Sequence, residues 1–214
     1  MTYDVATSSP VIDLIAALAD NKLFLGRRYA EWCTGAPTLE AAVAAASMAQ
    51  DEIGHARSFY PLLQDLAGAS GETEPETRTQ FTNVAMLNES FESWPDFVAA
   101  NLLLDTALTV LLEAAGRSSL ASLAQRARRI LEEEPLHWLH GQGWTRRLAA
   151  IGPGVRRALI DSLAATMPHS RQIFGCAVDD LVDLGVLDAS EPDLVSRFED
   201  RVQPVMRSAG LPVL

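Results

Sequence analysis

Two glutamate–histidine pairs could do chemistry in this chain: Glu52-Ile53-Gly54-His55 and Glu134-Pro135-Leu136-His137. Residues three apart lie on one face of a helix. A carboxylate and an imidazole there can hold the same transition-metal ion. One such pair is by default a solvated ion pair. Two of them, using two of only four histidines, are much harder to obtain by accident.

The stripes that carry the pairs matter more. Met48, Glu52, His55, Phe59, Leu62 and Leu66 alternate by four and three, the spacing of an apolar seam facing a bundle interior. Leu123, Ala127, Ile130, Glu134, His137, Gly141, Trp144 and Leu148 repeat it. A third stripe, Val98, Leu102, Asp105, Thr109 and Leu112, is interrupted by one carboxylate. A bare buried carboxylate costs several kcal/mol even after relaxation. Three of them with two imidazoles at one depth demand compensating positive charge, and two divalent metals would supply it. Di-iron and di-manganese carboxylate bundles take one carboxylate from each of two helices and a Glu-x-x-His from each of the other two. The fourth carboxylate should then come from the first helix, with Glu31 ahead of Asp20 as candidate. Glu31 lies about five residues before the first chain break and Glu52 about fourteen after it, a mismatch of roughly 13 Å along the helices. An extended Thr34–Pro37 segment, rising ~3.3 Å per residue, would absorb that.

Other polar and aromatic residues have plainer readings. Tyr29 and Tyr60 are expected to pack, with a radical or hydrogen-bonding role near a metal as the alternative, and Trp32, Trp138 and Trp144 to lie in the core. His140 and His169 read as surface or cap residues, and Glu132 and Glu133 as solvated by default, with support of a metal ligand by one of them as the alternative. Asp51 could orient a histidine. Pro135 inside a helix implies either a kink or a local π-bulge.

The elements that must position these residues are helices. Alanine and leucine dominate, and β-branched runs are short. Ser9-Pro10 opens a first helix to about Cys33, and Gly35-Ala36-Pro37 breaks it. Thr38 caps a second helix to about Ala67. Gly68–Glu76 reads as a loop and Thr77–Glu92 as a weak helix or irregular crossover. The third helix runs from Ser93-Trp94-Pro95 to Gly116, and the fourth from Ser118 or Ser119 to about Ala150. Gly152-Pro153-Gly154 precedes three shorter helices at 155–167, 170–184 and 190–208. Two hairpins joined by a long crossover predict an all-α, ferritin-like four-helix bundle over residues 9–150. Residues 151–214 then pack on it as a helical elaboration within one domain.

Composition narrows the functional classes. Of the 214 residues 48% are hydrophobic, enough for a full core, so global disorder is excluded. A net charge of −11 argues against nucleic-acid binding. The arginine clusters at 126–129, 146–147 and 156–157 read as solvated helix faces. No apolar run approaches the ~20 residues of a membrane span. The opening MTYDVATSSP lacks the basic start of a signal peptide. Two cysteines make no disulfide framework, so a cytoplasmic location is expected.

Several segments resemble one bacterial family. They are Glu31-Trp-Cys-Thr-Gly-Ala-Pro-Thr-Leu-Glu40, Gln50-Asp-Glu-Ile-Gly-His-Ala-Arg57, Leu104-Asp105, Glu133-Glu134-Pro-Leu-His137, Gly143-Trp144 and Val202-Gln-Pro-Val-Met. Together they resemble the ring-1,2-phenylacetyl-CoA epoxidase family of phenylacetate catabolism, ferritin-like proteins that pair a catalytic di-iron subunit with a related structural one. The Glu-Trp-Cys segment looks like the structural member of that pair, and the two Glu-x-x-His motifs look like the catalytic one. By that resemblance the metal ligands fall on Glu31, Glu52, His55, Asp105, Glu134 and His137. It implies a monooxygenase that uses two iron ions, with manganese as the alternative, to activate O₂ against an organic substrate such as an aromatic acyl-CoA. Electrons would come from a separate reductase, and the chain would form a homo-oligomer or pair with a related subunit. The alternative is a non-catalytic structural subunit of the same multicomponent epoxidase. Iron storage or peroxide removal on the same fold ranks behind both.

Overall fold

The computed structural model describes residues 9–67, 78–177 and 179–213. The Gly68–Glu76 loop expected from the sequence lies outside them. Every regular element among the described residues is helical. We label them α1 (Ser9–Ala30), α2 (Leu39–Ala67), α3 (Trp94–Ala115), α4 (Ala121–Ile130), α5 (Glu134–Ile151), α6 (Pro153–Gln172), α7 (Asp179–Asp183) and α8 (Glu191–Ser208).

The first hairpin is tight. Val11, Ile15, Leu18, Lys22, Leu25 and Tyr29 alternate by four and three along α1, and all are fully buried. Where α1 crosses α2, Gly26 lets the backbones close. A Cβ there would stand 2.8 Å from Ile53 Cγ1 and 3.1 Å from the Ala49 carbonyl oxygen. α1 ends at Ala30, earlier than its sequence pattern implies, and Glu31–Cys33 continue as a single 3₁₀ turn. The chain then turns through residues 34–38 and does not climb as an extended segment.

The second hairpin is less regular. Ser93 opens α3 with a capping box to Asp96, and Pro95 sits in the first turn, where its missing N–H costs nothing. α3 is apolar enough to cross a membrane by length and composition. It is instead the core helix, its most apolar window 89% buried in the protein. Its middle, Asn101–Asp105, is π-helical, a widened turn that often marks functional sites. The expected fourth helix is two helices. Residues 131–133 form a turn, and Pro135 falls in the opening turn of α5. Neither a kink nor a π-bulge is therefore needed at Pro135; the π segment is in α3. Gly141 admits α3 closely, a Cβ there lying 3.0 Å from Asn101 Oδ1.

The C-terminal helices pack on the second hairpin. α6 covers α3 and α5, and α8 lies along the end of α3 and against α5. α6 runs unbroken past Pro168, where the sequence suggests a stop. α2 and α5 run antiparallel on one side of the bundle: His55 meets Glu133 at 2.7 Å, and Asp51 meets His137 at 3.3 Å. Further along, Glu40 is held below the usual carboxylate range by its own backbone amide and the Thr38 hydroxyl, with a smaller pull from Arg147.

Candidate functional site

A lysine stands where the two hairpins meet. Lys22 Nζ lies 2.7 Å from Glu52 Oε1, 3.0 Å from Asp105 Oδ1 and 2.8 Å from Glu134 Oε1. The lysine side chain is 0% exposed, and the carboxylates are 0%, 2% and 3% exposed. An ammonium has three donors, and each finds one carboxylate. Burial pulls the Lys22 pKa down, but Asp105, Glu134 and Glu52 outweigh it and hold it well above the ordinary lysine value. Lys22 is thus a permanent cation that ties α1 to α2, α3 and α5.

Imidazoles complete the centre. His137 Nδ1 lies 3.0 Å from Asp105 Oδ2 and 3.2 Å from Glu52 Oε1, and its Nε2 faces Asp51. Acceptors on both ring nitrogens suit the doubly protonated ring. Burial lowers its pKa, but Asp105 and Glu52 more than offset this and raise it to about 11. Burial pushes Glu134 up; Lys22 opposes, Asp105 and Glu52 add to it, and the pKa reaches about 7. Asp105 is driven well below the carboxylate range: burial works against this, and Lys22 and His137 prevail. The cations Lys22 and His137 therefore face the three carboxyl groups of Glu52, Asp105 and Glu134 across the buried centre.

Around this core, Thr109 donates to Glu134 Oε2 at 2.8 Å. Tyr29 donates to Asp105 Oδ2 at 3.3 Å. Asn101, in the π segment, donates to Asp105 Oδ2 and to the His137 carbonyl oxygen. His140 Nδ1 donates to Asn101 Oδ1 at 2.9 Å. A cavity of about 320 Å³ reaches Glu134 and His137 from between α3, α5 and α8, with Thr109, Trp138 and the Glu113–Arg201 ion pair in its lining.

The residues singled out in the sequence divide clearly. Glu52, Asp105, Glu134 and His137 are brought together, with ligand atoms within 4.8 Å of one another, a grouping that could hold a metal ion. His55 lies beside them, its Nδ1 3.8 Å from Glu52 and 3.6 Å from Glu134, while its Nε2 pairs with Glu133. Glu31 is elsewhere. It sits on the 3₁₀ turn past α1, 36% exposed, in an ion pair with Arg28 at 2.9 Å. Asp20 is buried but turned away, accepting from Tyr60, Arg78 and Thr82. No carboxylate of α1 reaches the centre.

The physical reason is register. With residues 34–38 forming a turn, Glu31 stays nine residues, about 13 Å, past the level of Lys22. Lys22 is twelve residues before Thr34 and Glu52 fourteen after Thr38, so these two fall within two residues, about 3 Å, of equal height. The signal for Lys22 was in the sequence, since it lies on the four-three seam of α1.

The donor set departs from that of a di-iron centre on α1. The α1 position that should give a fourth carboxylate gives an ammonium instead, bonded to three of the oxygens the metals would need. Part of the positive charge that two divalent metals would supply is present instead as Lys22 and His137.

Residues 2–213 match a family described as phenylacetic acid catabolic protein. The chain is also 32% identical over 134 residues to one of the subunits of the 1,2-phenylacetyl-CoA epoxidase of Escherichia coli (strain K12), a match covering 61% of this chain and 54% of that protein. The chain thus matches about half the length of this curated relative.

Proposed function

The chain belongs to the family of phenylacetic acid catabolic proteins, and within it we propose that this chain is a structural, non-catalytic subunit of a multicomponent epoxidase acting on phenylacetyl-CoA. The observation that carries this reading is Lys22. Its ammonium neutralises the carboxylates that a catalytic chain of this architecture would offer to metals, and it closes the bundle where the reacting centre would be. The kinship with one component of such an epoxidase supports it. In such an assembly O₂, the aromatic acyl-CoA and the electrons from a separate reductase meet the metal-bearing partner chain, and this chain supplies surface and rigidity. Free Cys33 and Cys176 suit the reducing cytoplasm in which we place it.

One observation favours the rival reading, a di-iron oxygenase. Glu52 Oε2 and His55 Nδ1 are buried without a hydrogen-bond partner, as ligand atoms awaiting a metal would be. For metals to bind, Lys22 must withdraw from all three carboxylates. Anaerobic loading of the purified chain with iron(II), followed by metal analysis, separates the two. The structural reading expects iron at background level. Two irons per chain, with reductase-dependent O₂ consumption, would overturn it.

A further inference from the structure

The chain has four tryptophans, and three of them meet ring to ring. The centroids of Trp144 on α5 and Trp94 at the start of α3 lie 5.1 Å apart. Those of Trp94 and Trp32, on the 3₁₀ turn after α1, lie 5.5 Å apart. Trp94 is buried, whereas Trp144 and Trp32 are each half-buried. The column therefore starts at the surface, crosses the interior at Trp94 and returns to the surface. Phe97 stacks on Trp94 at 4.4 Å and 13°, and packs on Tyr29 at 4.8 Å. Phenylalanine is far harder to oxidise than tryptophan, so Phe97 separates the column from Tyr29 and the buried centre. Trp138, the fourth tryptophan, makes no ring contact with the column among the described residues.

Packing alone is a poor account of Trp94. Its Nε1–H is buried with no acceptor, although a buried indole usually finds one and a buried donor left unmade is costly. A phenylalanine there would carry no such donor. What an indole offers beyond volume is an easily removed electron. The orphaned N–H suits that use. With no acceptor to take its proton, an oxidised Trp94 stays a radical cation and is restored by receiving an electron. Charge gives the column a direction. The Arg147 guanidinium lies 4.5 Å over the Trp144 ring, and its charge opposes a positive hole there. Among the described residues no cation lies over the ring of Trp94 or Trp32. A hole that enters at Trp144 is thus driven inward.

We propose that Trp144, Trp94 and Trp32 form a conduit for single-electron oxidation, which carries the oxidising equivalent of a peroxyl radical from the Trp144 end to the Trp32 end. The peroxyl radical takes one electron from Trp144 and one proton from water and becomes a hydroperoxide. Trp144 recovers its electron from Trp94, and Trp94 from Trp32. A soluble thiol gives one electron to Trp32 and its proton to water and becomes a thiyl radical. No residue of the chain is consumed. Only the origin of such radicals, an oxygen-activating partner, rests on the subunit reading above; conduction belongs to this chain alone.

The test uses the intact protein, with tris(bipyridine)ruthenium(III) generated by a laser flash as the oxidant. Transient absorption follows the indole radicals, and peptide mapping then locates oxygen adducts. In the unsubstituted protein an indole radical cation should form, glutathione should quench it, and adducts at Trp144 should be rare. Trp94→Phe breaks the column at its buried member and removes no hydrogen bond, and circular dichroism checks that the fold is kept. Adducts at Trp144 should then rise several-fold, while those at Trp138, off the column, stay unchanged. Trp32→Phe, on the half-buried turn, should raise them by less, because Trp94 still shares the hole. Equal adducts at Trp144 in all three proteins would overturn the conduit. So would a rise at Trp138 in step with Trp144, the mark of loosened packing. Iron binding in the loading experiment would overturn the subunit reading and change none of these expectations.

Discussion

Lys22 Nζ and Glu134 Oε1 lie 2.8 Å apart, although 112 residues separate them in the chain. The contact joins the first core helix to the last, and every other carboxylate of the centre depends on the same ammonium. Replacing Lys22 by methionine keeps the length of the side chain and removes the charge. Three buried carboxylates would then lose their main cation, and breaking a buried ion pair in this way costs about 3–5 kcal/mol. The carboxylates relieve the strain by taking up protons, so Lys22→Met should recover stability on acidification. Urea unfolding at pH 8 and pH 5 checks this. A variant equally stable at both values would mean that Lys22 is not what neutralises the cluster.

Lys22→Glu changes the sign of the same position. The centre would then hold four carboxylates, Glu52, Asp105, Glu134 and the new one, beside His55 and His137, the set a di-metal bundle uses. Without metal it should be less stable than the unsubstituted chain. With iron(II) or cobalt(II) its melting temperature should rise, because a ligand that binds only the folded state adds about 2.7 kcal/mol at a hundred times its Kd. The unsubstituted chain should not respond to the same titration. If both respond alike, the lysine does not block metal binding.

The four-three seams are enough to bring Glu52, His55, Asp105, Glu134 and His137 to one depth, and the structure places them there. A helix period and a burial cost determine that much. Lys22 is harder to see, because lysine is exposed by type and the di-metal pattern asks α1 for a carboxylate. The height mismatch of Glu31 is visible arithmetic, and only the conformation of residues 34–38 resolves it. The break before α5 is less legible. Residues 131–133 carry no glycine, and Pro135 marks a helix start as readily as a kink. The C-terminal helices follow from composition, but their docking on α3 and α5 is tertiary packing that local pattern does not encode.

His137 makes stability fall with alkaline pH. Its pKa is raised from 6.5 to about 11 in the folded protein. Below pH 6.5 both states carry the proton and its contribution is complete. As pH rises toward 11 the unfolded chain has lost the proton and the folded one still holds it. Stability then declines by up to about 1.4 kcal/mol per pH unit. Glu134, raised from 4.5 to about 7, acts in the same direction between those values. His140, lowered to about 4 first by burial and then by His137, acts oppositely below pH 6.5. From pH 7 to 9 the His137 effect should dominate. Urea midpoints should drop over this range in the unsubstituted chain and drop much less in His137→Gln, where His55, also raised above its ordinary value, still contributes. A level profile in both would show that the imidazole is neutral in the fold.

Asp20 anchors the crossover rather than the centre. Its buried carboxylate accepts from Tyr60 at 2.8 Å, Arg78 at 2.7 Å, the Thr82 amide at 2.9 Å and the Thr82 hydroxyl at 3.0 Å. Next to it, Asn21 accepts from the Val84 amide at 2.9 Å, so α1 grips residues 78–84 of the connection between the hairpins at two successive residues. Asp20→Ala removes the acceptor shared by the Arg78 guanidinium, the Tyr60 hydroxyl and the Thr82 amide, a loss of about 3 kcal/mol or more. The stretch 78–92 should then open before the bundle does, since segments with few remaining contacts unfold locally at lower free energy. Asp20→Asn keeps the shape and one acceptor oxygen and should fall between the two. Limited proteolysis read by mass spectrometry gives the order: slow cleavage in 78–92 for the unsubstituted chain, intermediate for Asp20→Asn and fast for Asp20→Ala. Equal cleavage rates in all three would assign the anchoring to Asn21 and the packing of Phe24 on Phe81 instead.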